Sequence, residues 1–423
     1  LGTEFGLYVT LDGGANWLKW EHGLPTASAM ALVVHPREHD LVIGTHGRAV
    51  YIIDDIRPLR TISAATLAEP IHLFEIPDAQ QYMVKQTGAS RFPGDGEFRG
   101  ENRPYGALIT FSLNIEGLPH PKDEIERERQ EAEREEEAEE EGAEGSPDRG
   151  EQVTIEISNA DGEVIRSFER PATLGVNRVV WDLERDAFER PGAGEEPFFF
   201  GGGGPDVLPG TYYVTVKYGD HEANGSVTVL PDPRYDISQD DRQAKFDVVM
   251  HVGALQGTIA EAIERIADTR SEIDDVLERA KAAEDEDEEG DEGEGDEEGE
   301  EVGEEDDQHD ALEELVQAGE DLNKKLTELE ERLWTPPGTT KGIVYTTDAY
   351  GRLGYVRGSL SSSWDAPTQS QETYLAAVEA QLQEVIADFN RVFAEDVAAF
   401  RDQVEEVALE FVAAKEPLEI PAR

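Results

Sequence analysis

At 423 residues the chain is too long for one ordinary domain, so two or three are expected, each large enough to bury a core. Its formal charge of −57, from 94 acidic against 37 basic residues, offers no basic face for phosphate and excludes nucleic acid as an expected partner. Zero cysteines exclude a disulfide framework and Cys-ligated metal, and no run of about eighteen apolar residues exists to form a transmembrane segment.

The charge is concentrated in two runs. From Pro119 to Glu151 fifteen acidic residues stand against five basic, and from Glu284 to Asp310 nineteen stand against none; these carry −10 and −19, leaving −28 on the rest. Only ten of the 37 basic residues are Lys. A dense, Lys-poor carboxylate surface stays soluble in concentrated salt, where screening removes its self-repulsion, so the composition predicts a halophilic protein. The alternative is an acidic protein of ordinary habitat carrying two disordered inserts.

In chain order, residues 1–60 come first. Thr10-Leu-Asp12-Gly-Gly14-Ala-Asn16-Trp17 fits Ser/Thr-x-Asp-x-Gly-x-x-Trp, an Asp-box, with strand-like runs over Gly6–Thr10 and Trp17–Glu21 on either side. The spacing predicts a hairpin turn. Asp12 would accept backbone N–H groups, glycine would supply a conformation closed to residues with a Cβ, and Trp17 would pack beneath as a plug. Gly44-Thr45 and Asp54 follow Gly2-Thr3 and Asp12 by 42 residues, and a repeat of about 40 to 45 residues built of short strands suits one propeller blade. Ala29–His35, Asp40–Thr45 and Ala49–Asp54 read as three of its strands. No second box follows, since Asp54-Asp55-Ile56-Arg57-Pro58 stands in its place. The opening on Leu1, inside a strand-like run, reads as part of a longer protein.

The box and the run Gly44-Thr45-His46-Gly47-Arg48-Ala49-Val50-Tyr51 resemble the last blades of bacterial Asp-box (bacterial neuraminidase repeat, BNR) propellers, which share their architecture with the sortilin-type receptor propeller and are often labelled glycosyl hydrolases. The resemblance implies a fold and carries little about activity, because in such proteins the box lies on the periphery. Thr10, Asp12, Gly14 and Trp17 are therefore expected to be structural. His46 and Arg48 are the candidate ligand-binding pair, placed on a loop that opens on the face propellers commonly use. The alternative is that Gly47 permits a tight turn while Arg48 bonds carbonyls and pairs with Asp54 or Asp55. No arginine triad, Tyr–Glu nucleophile pair or carboxylate dyad can be assembled here, and no catalytic residue, metal or cofactor is expected on this chain.

Residues 61–104 read as a linker. From 105 to 232 alternating runs recur at Ala107–Asn114, Val153–Ser158, Val164–Phe168, Val176–Asp182, Tyr212–Lys217 and Ser226–Leu230, the pattern of a half-buried antiparallel sandwich. Asn159-Ala-Asp161-Gly162 and Leu208-Pro209-Gly210 are its turns. With Asn177-Arg178-Val179-Val180-Trp181-Asp182, the segment resembles the Ig-like domain of flagellar hook-capping proteins, which implies a spacer. Two insertions interrupt it. One is acidic, about 119–151, and the other holds Phe198-Phe199-Phe200, readable as a sugar-stacking platform or as cover for the sandwich edge.

From 238 to 423 the period changes. Val252, Ile259, Ile266 and Ile273 recur every seven residues beside Leu255, Ala262 and Val276, and Leu312, Leu315, Leu322, Leu326, Leu329 and Leu333 form a matching seam, so two helices should pack antiparallel. Their acidic link, about 284–310, is expected to be disordered and lacks the ligand frame of a Ca²⁺ loop. A polar loop is expected from Trp334 to Ser363. Two further helices follow, one carrying Tyr374 to Phe393 and one from Asp396 to about Phe411, completing a helical bundle. The expected class is mainly β plus α. The expected function is glycan or peptide binding by a secreted or cell-surface propeller protein, of which this portion is structural. The alternative is a glycoside hydrolase whose catalytic carboxylates lie upstream.

Overall fold

The computed structural model describes residues 1–21, 23–83, 102–121, 152–192, 203–291, 302–336 and 347–407. Both α and β structure are present, divided between two compact units: Leu1–Asp186 with Asp206–Tyr235, and Ala187–Pro205 with Asp236–Arg423. The chain therefore passes three times between them. The acidic insertion at 122–151 and Phe198–Phe200 lie outside the described residues.

The first unit begins with two three-stranded antiparallel sheets. One comprises β1 (Gly2–Thr3), β2 (Gly6–Val9) and β3 (Leu18–Trp20); the other comprises β4 (Ala29–Val34), β5 (Leu41–Thr45) and β6 (Val50–Ile53). Leu7, Leu24, Ala29 and Ile43 are buried as a small core shared by the two sheets. In the second sheet Leu32, Ile43 and Tyr51 stand in one cross-strand row on the core side. The rows Val33–Val42–Ile52 and Ala31–Gly44–Val50 lie on the opposite face, since neighbouring rows alternate in side-chain direction. That second face is apolar too, and Val33, Val50 and Ile52 are 60%, 61% and 60% exposed.

A short helix, α1 (Pro58–Thr61), leads into the larger β structure. Its five-stranded sheet has the order β11 (Val164–Pro171), β10 (Gln152–Ser158), β13 (Gly210–Tyr218), β14 (His221–Leu230) and β8 (Ala79–Gln80), with only β8 parallel to its neighbour. A three-stranded sheet has the order β12 (Gly175–Trp181), β9 (Ala107–Leu113) and β7 (Ile71–Leu73). Both line one core that includes Phe111, Val153, Ile155, Ile157, Trp181, Val214, Val216 and Val229. Period-2 alternation places Val153, Ile155 and Ile157 inward from β10. The Trp181 indole donates to the Glu184 carbonyl at 2.8 Å and meets Tyr212 edge-on, while the Tyr212 hydroxyl donates to the Leu208 carbonyl at 2.8 Å. At the Asn159 turn the N–H groups of Asp161 and Glu163 both donate to Asn159 Oδ1 at 3.0 Å. Residues 61–104, expected as a linker, supply β7 and β8, because Ile71 and Ala79 enter the core.

The second unit is helical. Helix α2 (Gln239–Asp291) and α3 (Val302–Leu333) run antiparallel, as the pairs Arg270–Glu330, Asp274–Asn323 and Lys281–Glu320 require. Every residue of the two expected seams is buried. Of the segment 284–310 expected to be disordered, residues up to Asp291 and from Val302 are helical, since Glu-rich backbone extends helices already packed on a core, and 292–301 lie outside the described residues. The expected loop before Ser363 contains α4 (Ala349–Leu360), capped where Asp348 accepts from the Gly351 N–H at 2.7 Å and buried through Ala349, Leu353, Val356 and Leu360. A capping box between Thr368 and Gln371 starts α5 (Gln369–Val392), which passes through a π-helical turn at Phe393–Val397 into α6 (Ala398–Glu406) without the expected break. His251 Nε2 lies 2.7 Å from Glu379 Oε1, joining α2 to α5.

Candidate functional site

The Asp-box forms the hairpin between β2 and β3. Asp12 Oδ1 accepts from the Asn16 N–H at 2.9 Å and the Thr10 hydroxyl at 2.9 Å, and Oδ2 accepts from the Asn16 side-chain amide at 2.7 Å. The Thr10 hydroxyl in turn accepts from the Gly14 N–H at 2.8 Å. These donors, the Asn16 backbone first, hold the Asp12 carboxyl down at about 2. Gly13 and Gly14 have φ of +71° and +97°, which supplies the turn conformation foreseen for glycine. The role of Trp17 differs from expectation: it is 47% exposed, with its indole over Gly14, so it covers the turn from outside instead of plugging a core.

His46 and Arg48 lie in the β5–β6 hairpin, on a different sheet from the box. Both are exposed, and among the described residues neither side chain makes a hydrogen bond or ion pair. The turn is held by backbone and Thr45: the His46 N–H donates to the Ser28 carbonyl at 2.9 Å, and the Thr45 hydroxyl donates to the Ala49 carbonyl at 2.6 Å. Gly47 and Ala49 both have positive φ. The pairing of Arg48 with Asp54 or Asp55 does not occur. Arg57 takes Asp55 instead, Nε to Oδ1 at 2.5 Å.

A denser charge cluster lies where β6 ends. Asp55 has a fully buried side chain, a φ of +42° and an N–H that donates to Asp40 Oδ1 at 2.9 Å; its Oδ2 has no hydrogen-bond partner among the described residues. Arg178, projecting from β12, donates to the carbonyls of Asp54 and Asp55 at 2.6 and 2.8 Å and through Nε to Thr110 Oγ1 on β9 at 2.9 Å. Arg103 stands 3.3 Å from Glu38 and 3.7 Å from Asp40. Burial first and the Asp40 carboxylate second push the Asp54 carboxyl above its usual range, with Arg103 and Arg178 opposing. Arg57 thus answers Asp55, Arg103 answers Glu38 and Asp40, and Arg178, bonding the backbone of Asp54 and Asp55, fastens the end of β6 to β9 and β12. This is a joint, with no nucleophile or base placed for chemistry.

The sequence alone did not single out Arg178 or Arg103. The available signal was a lone arginine inside the valine-rich run of β12. Among the described residues no group of three His, Asp or Glu side chains forms a metal site, and no helix is long and apolar enough to cross a membrane. No protein-family model, curated protein or solved structure matches this chain.

Proposed function

We propose that this chain is the C-terminal portion of a secreted or cell-surface Asp-box propeller protein that binds a glycan or a peptide, and that the portion described here holds and spaces the binding head without acting as a catalyst. The observation that carries the reading is the sheet β4–β6, apolar on both faces but covered on one. A sheet of this kind is built to stand between neighbours, as a propeller blade does. The Asp-box hairpin on the preceding sheet supports it. The two-sheet core with its tyrosine-to-carbonyl bond supports an Ig-like spacer after the blades.

Expressing the intact gene product in molar KCl and screening glycans and peptides for both retention and turnover tests the proposal. Retention without turnover supports the proposal; retention lost in His46→Ala with Arg48→Ala while folding is kept would place part of the binding site on the β5–β6 loop of this portion. Cleavage abolished by replacing a propeller carboxylate would replace this reading with that of a glycoside hydrolase.

A further inference from the structure

The second unit contains a piece of chain that comes from between two strands of the first. After Asp186 the chain runs through Ala187-Phe188-Glu189-Arg190-Pro191-Gly192 and packs on the helices. Phe188 lies against Gly253 of α2 so closely that any Cβ there would collide with its ring. One turn further along the same helix face, Gly257 is again small enough to leave Glu189 in van der Waals range of where a Cβ would stand. The Arg357 guanidinium from α4 lies over the Phe188 ring, 5.7 Å from its centroid. Gly192 sits against the Trp334 indole, and the preceding Pro191 is buried. Gln256, also on this stretch of α2, is 3% exposed, and its Oε1 has no hydrogen-bond partner among the described residues.

A glycine notch, a cation over an aromatic ring and an indole wall together have the features of a peptide-recognition groove. We propose that this face of the helical unit is a binding groove for an extended peptide centred on an aromatic residue, and that Ala187–Gly192 occupies it in cis as a latch. Phe188, half-buried with its ring against Gly253, is the anchor, a part that aromatic residues often play in interfaces. The groove fits a phenylalanine with a proline three residues further on, the spacing of Phe188 and Pro191.

Hydrogen exchange on the full chain in high salt, wild type against Phe188→Ala, tests this, with a synthetic peptide of residues 185–192 (Arg-Asp-Ala-Phe-Glu-Arg-Pro-Gly) added in trans. The variant should exchange about tenfold faster over residues 250–258 and 349–360. The peptide at millimolar concentration should restore protection to the variant, leave the wild type unchanged because its groove is filled, and lose its effect when its phenylalanine is alanine. Unchanged exchange in Phe188→Ala overturns the proposal, as does a peptide that protects wild type and variant alike or works without its phenylalanine. Should Phe188→Ala fail to fold, Phe188→Leu, which keeps an apolar side chain but loses the ring beneath Arg357, carries the same comparison: faster exchange of these two segments with rescue by the peptide supports the latch, and wild-type exchange refutes it.

Discussion

Asp12 is exposed to water, yet three donors from Thr10 and Asn16 converge on its two oxygens and hold its carboxyl below the usual carboxylate range. A carboxyl whose folded value lies at about 2, below the ordinary value near 3.8, adds stability that is fully present above about pH 4 and is lost as pH falls through about 2. Carboxyl NMR of the folded chain should therefore find Asp12 titrating near 2, and Asn16→Ala should move that midpoint upward; a midpoint near 4 in the parent chain would show that the turn does not hold the carboxylate. Asp54 behaves in the opposite sense. Its carboxyl is raised by burial and by Asp40, so its ionised form is disfavoured in the fold and stability is lost as pH rises through its folded value. The Asp-box was legible because its chemistry is local, with every donor within four residues of Asp12. The joint was not, because Arg178 meets Asp54 and Asp55 across more than 120 positions of sequence, and no local pattern announces such a partner.

At the level of elements, the period of apolar residues decided what could be read. Strands of seven to ten residues, β9 to β14, lie where alternation puts them, and the seven-residue seams of α2 and α3 are all buried. Strands β7 and β8 escaped because three and two residues cannot display a period. Helix α4 escaped because Gly351, Gly354 and Gly358 read as loop, although Ala349, Leu353, Val356 and Leu360 already keep helical spacing. Leu353→Ala should therefore destabilise the helical unit by about 2–5 kcal/mol, as truncation of a fully buried leucine does, and urea unfolding followed by helical circular dichroism measures it. Exposed-loop behaviour, with no change in midpoint, would contradict the packing of α4. In the first unit, Arg178→Ala should cost about 2–4 kcal/mol, since it removes charge-assisted bonds to three acceptors, the carbonyls of Asp54 and Asp55 just past β6 and the Thr110 hydroxyl on β9. Arg178→Lys should rescue little, because a single ammonium cannot span the positions that a planar guanidinium reaches. Full recovery by lysine, seen as a wild-type urea midpoint, would show that charge alone matters there.

For the molecule as a whole, charge dominates. With −57 on 423 residues, self-repulsion opposes the compact state in dilute buffer and fades once the screening length falls to about 3 Å at 1 M salt. The midpoint of thermal unfolding should rise steadily from dilute buffer into molar KCl, and a maximum in dilute buffer would reject salt adaptation. The number of domains was legible only in part. The sequence suggests three consecutive blocks, whereas the chain forms two compact units that share its middle, because the β12–β13 connection belongs with the helices. This has a consequence for biosynthesis. Phe188 leaves the ribosome sixty-five residues ahead of Gly253, against which it will rest. At about 5–20 residues per second, its ring waits roughly 3–13 s before that surface exists. Over the same interval β13 and β14 are synthesised. Until Gly253 is made, Phe188 has no surface to rest against, and a slowing of translation before that point would keep the phenylalanine in reach of chaperones or of neighbouring nascent chains.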